Sequence, residues 1–299
     1  MRSPIHTTVL VAGGGPAGAT AAHLLAAAGF EVTLLERATF PRYHIGESLQ
    51  PSCLAILDRV GMRETMLAHG FVKKYGVYNE WGSELWAFEF ATIPGGEVHA
   101  FQVLRSEFDQ LLLDNARKAG VTVHEGAEVL SLEWEGERPV RARWRSTTRE
   151  DKAEGVISFD WLIDASGRAG LMANQYLKNR RFNEGFQNIA VWAYWKGAQP
   201  LADGPEGATA ISSVPNGWLW AIPLRDETLS LGLVAHRDEF KKRRDSSADL
   251  VDLYLKAVSE SPLARRLLVG AERVGELRLE QDFSYAATRF AGQIGRAHV

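Results

Sequence analysis

The sequence predicts an α/β protein in which a parallel, nucleotide-binding sheet carries an inserted antiparallel layer. Three observations predict it. VAGGGPAG, residues 11–18, stands between an apolar β-branched run and an Ala-rich helical segment. Short apolar strands recur among helices, the pattern of a βαβ sheet. Residues 75–102 and 189–236 are rich in aromatics and alternate as half-buried antiparallel strands do.

The elements follow in order. Thr7 to Ala12 reads as a strand that stops at glycines, Pro16 to Ala28 as a helix closed by Gly29, and EVTLLER as a second strand ending on Glu36. These form one βαβ unit, the start of a parallel sheet. FDQLLLDNARKAG places Phe108, Leu111, Leu112 and Ala116 on one helical face and ends at Gly120. VTVHEGAEVLSLEWE reads as two strands, RSTTREDKAEG as a hairpin end, and WLIDA (161–165) as a short strand running into glycine. SSADLVDLYLKAV returns to helix with Ser246 or Ser247 as N-cap. The boundaries predicted are a nucleotide-binding domain over 1–72 and 103–178, resumed at 275–299, with a substrate-side sheet and helices over 73–102 and 179–274.

Composition narrows the function classes. A chain of 299 residues with 45% hydrophobic and 24% charged residues is long enough for one large domain or two interlocked ones. A net charge of −3, with no basic face interleaved with aromatics, points away from nucleic acid and anionic membranes and toward small molecules. The single cysteine, Cys53, excludes an internal disulfide framework and fits a reducing compartment. MRSPIHTT lacks the apolar core of a secretion signal, and no stretch reaches the roughly 18 apolar residues of a membrane span. A cytoplasmic location is expected.

Gly13, Gly15 and Gly18 have the G-x-G-x-x-G spacing of a Rossmann-like turn. The first glycine allows the tight turn, the second lets a pyrophosphate reach the backbone, and the third lets helix and strand pack. Pro16 and Ala17 open the helix whose N-terminus faces the phosphates, and Glu36, followed by Arg37, stands where a ribose hydroxyl is taken. FAD and NAD both fit these residues. No metal-ligand cluster is predicted.

Other stretches carry two readings each. IGESLQPS is a helix start with Pro51 in its first turn, leaving Glu47 and Ser48 either as plain caps or as ligand contacts. Arg42 is a solvated loop arginine or a cofactor contact. In GWLWAIP (217–223) Trp218 and Trp220 share one face of a strand while Leu219 and Ala221 share the other, which makes either core packing or a rigid wall. On an extended segment Lys73 and Lys74 face opposite sides, so at most one enters a cavity. Arg105 is a helix-start ion pair or a ligand contact. Asp164, at a strand end beside Gly167, is a cap or a ligand contact.

Taken together these motifs resemble the flavin-dependent halogenases. FPRYHIGESLQPS (40–52) is similar to the segment of those acting on phenols and pyrroles, and the tryptophan halogenases carry a related but different one. GWLWAIP looks like the family's W-x-W-x-I-P signature, and GF-x-x-K-x-G falls on Gly70, Phe71, Lys74 and Gly76. The resemblance runs from Val9 to about Gly292. It implies a group A monooxygenase-like FAD-binding domain, with Arg42, Glu47, Ser48, Arg105, Asp164 and Gly167 joining the glycine turn around FAD. It also implies halogenation of an electron-rich phenol or pyrrole-like ring by hypohalous acid relayed through Lys74, screened by Trp218 and Trp220. A separate flavin reductase would reduce the FAD, chloride or bromide would be co-substrate, and the aromatic acceptor would be free or tethered to a carrier protein. An FAD-dependent aromatic hydroxylase or other FAD oxidoreductase is the alternative on the same fold.

The family pattern continues past the point where this chain stops. The last residues, IGRAHV, back-translate to a string that matches a common sequencing-library adapter, so a C-terminally truncated chain is expected, one that halogenates poorly as it stands. A non-catalytic flavin-binding fragment is therefore a third reading.

Overall fold

The computed structural model describes residues 5–148 and 152–289. The tip of the predicted hairpin at 149–151 and the terminal IGRAHV lie outside the described residues.

The chain begins with β1 (Ile5–Ala12), α1 (Pro16–Ala27) and β2 (Val32–Glu36). Next come α2 (Cys53–Arg59), α3 (Arg63–His69), β3 (Val72–Lys74), β4 (Gly76–Trp81), β5 (Glu84–Glu89) and β6 (Ala100–Gln102). Helix α4 (Arg105–Lys118) leads into β7 (Thr122–Glu125), β8 (Ala127–Glu135), β9 (Arg138–Ser146) and β10 (Glu154–Asp164).

A six-stranded sheet has the order β7-β2-β1-β10-β9-β8, parallel across its first four strands and antiparallel at β10-β9-β8. Strand β1 is apolar on both faces because both are covered. Val9 and Val11 join the core made with α1 and α4, while Leu10 and Ala12 join the core on the far side with Leu35, Leu132 and Leu171. The WLID of that stretch is thus the end of an eleven-residue strand rather than a strand of its own, and Ala165 follows it.

Beyond it lie β11 (Arg180–Phe182), β12 (Asn188–Lys196), β13 (Thr209–Val214), β14 (Gly217–Leu224), β15 (Thr228–His236), α5 (Arg237–Asp245), α6 (Leu250–Glu260), α7 (Pro262–Leu267), β16 (Glu272–Gln281) and β17 (Tyr285–Ala287). The second sheet has seven strands in the order β16-β12-β15-β14-β13-β4-β5. Its β4-β13 pair is parallel, against the antiparallel expectation, because a long crossover rather than a hairpin joins those strands. One face packs on α6 through Leu219, Leu231, Leu233 and Tyr254. The other gathers Trp192, Trp220, Ile222 and Val234 against Ile45 and Leu104.

Three local expectations change. The α6 cap is Asp249, whose carboxylate accepts from the Asp252 N–H at 2.8 Å, because Ser246 already ends α5. Pro51 precedes the first turn of α2, whose cap position is Ser52. Residues 275–281 lie in β16, hydrogen-bonded to β12 in the seven-stranded sheet rather than in the nucleotide-side layer.

Candidate active site

The glycine turn is built by two different demands. A Cβ on Gly13, at φ +110°, would stand 2.3 Å from the Ala165 carbonyl oxygen, and one on Gly18 would stand 1.9 Å from the Gly13 oxygen. Both glycines are required by close backbone approach. At Gly15 a Cβ would meet only Arg42 Nη2, at 3.4 Å, so this residue opens onto space a ligand can use. The buried Glu36 carboxylate accepts from Gly14 N (2.6 Å) and Ala38 N (2.8 Å), which braces the turn.

That space is a cavity of about 380 Å³ at the carboxyl ends of β1, β2 and β10. Gly13, Gly15, Pro16, Ala17 and Glu36 form one wall, and Arg37, Arg42, Arg105 and Gly167 line it further. Tyr43, His44 and Arg168 also border it. Asp109 is fully buried and serves two cations: it accepts a bidentate fork from Arg105 (2.8 and 3.0 Å) and pairs with Arg42 at 3.1 Å. Two guanidinium groups on one carboxylate leave net positive charge facing the cavity, the sign a pyrophosphate needs. Arg105 Nη1 also donates to the Ile45 carbonyl at 2.8 Å, tying the 40s segment to α4. Burial, with Arg105, Arg42 and Arg168 nearby, holds the His44 ring below its ordinary pKa. An open glycine, a helix N-terminus, an acid at the end of β2 and an arginine-rich wall fit the nucleotide end of FAD.

Asp164 and Gly18 stand behind this wall. The Asp164 carboxylate accepts from Ser166 N, Ser166 Oγ and Met172 N, so it shapes the turn that carries Ser166 and Gly167 along the cavity.

Glu47 and Ser48 lie deeper, against the seven-stranded sheet, where Glu47 meets Tyr194 of β12 and Ser48 meets Thr209 of β13. Ser48 bridges Gln102 of β6 through the backbone, which sets the GES segment beside Lys74. Period-two alternation exposes Lys73 and buries Lys74 at 1% exposure. Lys74 Nζ donates to Ser48 Oγ (2.9 Å) and Leu49 O (3.3 Å) and sits 5.3 Å from the Phe90 ring centroid. Burial lowers its pKa to about 8, against a smaller upward pull from Cys53. Glu47, 2% exposed, accepts from Tyr194 Oη at 2.6 Å, and burial raises its pKa.

Trp218 and Trp220 share the face of β14 that looks toward the 40s segment, with ring centroids 6.2 Å apart. Trp192 extends the wall, its centroid 6.1 Å from that of Trp220. Gly232 lies between them in register, opposite Trp192 on one side and Trp220 on the other. A Cβ there would stand 2.2 Å from Trp220 Cζ2, so the missing side chain is what lets the indole lie down.

The nucleotide cavity, the lysine and the tryptophan wall are thus distinct places strung along one segment, residues 40–49. Sequence reading missed Asp109, Tyr43, Tyr194, Trp192, Gln102 and Gly232. Asp109 had a signal, an acid four residues after Arg105 on the inward face of α4. Trp192 and Tyr194 had one in the alternation of AVWAYW. Among the described residues no group of three or more potential ligands could hold a metal, and no helix is long and apolar enough to cross a membrane.

Residues 6–264 match the FAD binding domain family. The chain is 49% identical over 294 residues to the tryptophan 2-halogenase of Chondromyces crocatus, covering 98% of this chain and 55% of that protein. It is 41% identical over 306 residues to the flavin-dependent halogenase armH1 of Armillaria mellea, covering 97% and 58%. Among solved structures, the myxobacterial chondrochloren halogenase CndH, an FAD-dependent halogenase, superposes with a TM-score of 0.87 at 34% identity, covering 97% of this chain and 67% of that one. The chain therefore spans a little over half the length of the curated relatives it matches.

Proposed function

The chain belongs to the FAD-binding-domain flavoproteins and, among them, to the flavin-dependent halogenases; from that premise we propose that the protein halogenates an electron-rich aromatic ring, with Lys74 as the residue that hands over the halogen. The observation that carries the reading is an amine buried to 1% exposure whose pKa is drawn down to about 8.

Gly13, Gly15, Glu36, Arg42 and Arg105 would hold FAD, with Gly18, Asp164 and Gly167 shaping the turns around it and Pro16, Ala17 and Arg37 bordering it. Bound reduced FAD supplies, with oxygen, the oxidation of chloride or bromide to hypohalous acid. The neutral Lys74 amine then attacks the halogen: an N–X bond forms, the O–X bond breaks, and the departing hydroxide leaves as water with an amine proton. The aromatic carbon takes the halogen in turn, the ring loses its proton, and the amine is restored. Ser48 fixes Nζ for both steps, and Trp218 and Trp220 exclude water from the path.

The acceptor class rests on resemblance. The 40s segment favours phenols and pyrroles, whereas a 49%-identical relative is named for tryptophan. Position 2 of an indole is a carbon of its pyrrole ring, so the two indications share one chemistry, and indoles belong beside phenols and pyrroles in the assay. A carrier-tethered acceptor and a diffusing flavin reductase remain part of the proposal.

The test is direct. Protein reconstituted with FAD is given reduced flavin, oxygen, chloride or bromide, and a panel of phenols, pyrroles and indoles, free and carrier-bound. Halide-dependent halogenated product supports the reading. Hydroxylated product indifferent to halide would assign an aromatic hydroxylase instead, and flavin uptake with no product would leave this chain as a flavin-binding unit.

A further inference from the structure

Tyr43 stands at the wall of the nucleotide cavity and is 44% exposed, whereas Glu47 is 2% exposed. Two hydroxyls connect them: Tyr43 Oη lies 3.0 Å from Tyr194 Oη, and Tyr194 Oη donates to Glu47 Oε1 at 2.6 Å. The indole N–H of Trp192 donates to Tyr43 Oη at 3.0 Å. An indole can only donate, which fixes one end of the chain. If Tyr194 gives its proton to Glu47, its oxygen must accept from Tyr43, and every donor then points from the cavity toward the carboxylate. If Glu47 is protonated and donates through Oε1, the order reverses, and Tyr43 turns its own proton to the cavity.

Resting on the halogenase reading, we propose that Tyr43, Tyr194 and Glu47 form a proton relay from the cavity wall to a buried carboxyl, with Tyr194 as its positioning residue. Each pass balances. When the Glu47 carboxylate takes up a proton, Tyr194 supplies it, Tyr43 reprotonates Tyr194, and a hydronium ion at the cavity reprotonates Tyr43 and leaves as water. At each tyrosine oxygen one O–H bond breaks and one forms, so a pass moves one proton from the cavity to Glu47, and the reverse sequence returns it.

Glu47 is faced by Tyr194 of β12, Ser230 of β15, Arg105 of α4 and Arg278 of β16, in addition to Tyr43 on its own segment. Burial raises its pKa, while the Tyr194 and Ser230 hydroxyls and the two arginines pull it back. Burial likewise raises both tyrosines, so their hydroxyls stay protonated and able to pass a proton on. The Arg278 guanidinium, 3.7 Å from the centre of the Tyr43 ring, holds that ring in place.

The experiment needs neither flavin nor halide. Glutamate labelled with ¹³C at the carboxyl is titrated by NMR in the flavin-free protein, and the Glu47 signal is assigned by its loss in Glu47→Gln. Tyr194→Phe removes a donor to the charged form and should raise the Glu47 midpoint by about one pH unit. Tyr43→Phe, which does not touch Glu47, should raise it by about 0.2 to 0.3 through weaker polarisation of Tyr194. 3-Fluorotyrosine at position 43, nearly isosteric and a stronger donor, should lower it. A Glu47 midpoint that moves with Tyr194 but ignores both changes at position 43, or ignores all three, would overturn the relay. Coupled midpoints in a protein that makes no halogenated product would retain the relay and remove the halogenase reading.

Discussion

Lys74 Nζ lies 2.9 Å from Ser48 Oγ, and that oxygen lies 2.8 Å from Thr209 Oγ1. Gln102 Nε2 donates to the same Thr209 oxygen at 2.9 Å and to Gly207 O at 3.0 Å, which fixes the amide end. The two hydroxyls between amide and amine can reverse. With an ammonium, Lys74 donates to Ser48; with a neutral amine, Thr209 can donate to Ser48 and Ser48 to Nζ. The buried lysine can therefore lose its proton and keep both contacts, accepting from Ser48 and still donating to Leu49 O, so its lone pair is not left unpaired.

Lys74→Ala should abolish halogenated product while flavin uptake and flavin reduction stay at the level of the unaltered protein, because in the proposed reaction the amine acts after the flavin chemistry. Lys73→Ala, at an exposed position, should stay within about twofold. Thr209→Val keeps the shape but removes the hydroxyl behind Ser48. A loss of about 10-fold to 100-fold in product formation is expected from the loosened amine. Mass spectrometry of product beside flavin absorbance checks all three, and normal halogenation by Lys74→Ala would refute the assignment.

Lys74 also ties stability to pH. Its folded pKa of about 8 lies below its ordinary value of 10.5, so between those values the unfolded chain binds more protons than the folded one. Stability from this group should rise as pH rises from about 8 to 10.5, and below pH 8 the full cost is present, about 3 kcal/mol. Lys74→Met should thus stabilise the protein at pH 7 by about 1 to 3 kcal/mol and much less at pH 10.5. Urea denaturation at both pH values reads the difference.

Gly13 and Gly15 should fail differently. Gly13→Ala forces a Cβ to 2.3 Å from the Ala165 oxygen at a φ of +110°, so folding itself should suffer by several kcal/mol. A Cβ at Gly15 meets only the flexible end of Arg42 and opens onto the cavity, so in Gly15→Leu the melting temperature should hold while flavin retention is lost. Thermal melts with and without FAD separate the two. Loss of fold in Gly15→Leu would contradict the open-cradle reading.

These contrasts show where sequence was readable. The β1-α1-β2 unit and the separate roles of its glycines are written in contiguous residues, so periodicity and spacing suffice. Period two likewise separates Lys73 from Lys74 and groups Trp218 with Trp220. The cap at Asp249 was displaced by a neighbouring helix that used Ser246, a competition between two local signals. Tyr43 and Tyr194 meet across 151 residues, and Asp109 takes its second arginine from the 40s segment; neither pairing has a local signature. The parallel β4-β13 pair is of the same kind, since strand direction there follows from topology rather than from a turn.

Gly232 was silent in the sequence for the same reason, and it offers the sharpest test of the tryptophan wall. It sits between Trp192 and Trp220 in neighbouring strands, and a Cβ would come within 2.2 to 2.5 Å of three Trp220 ring atoms. Gly232→Ala must therefore tilt Trp220 off its strand, stretching the 3.3 Å bond from its indole N–H to Ser230 Oγ. The expected destabilisation is about 1 to 3 kcal/mol, typical of overpacking. Placed in a Trp220→Phe background, the same alanine should cost markedly less, because the clashing ring has gone; a double-mutant cycle isolates that coupling. If the wall shields the path to Lys74, the single Gly232→Ala variant should consume oxygen as before but make less halogenated product per turnover, with hypohalous acid escaping to a scavenger. Additive costs in the cycle, or unchanged product per oxygen with a displaced Trp220, would reduce the three tryptophans to core packing.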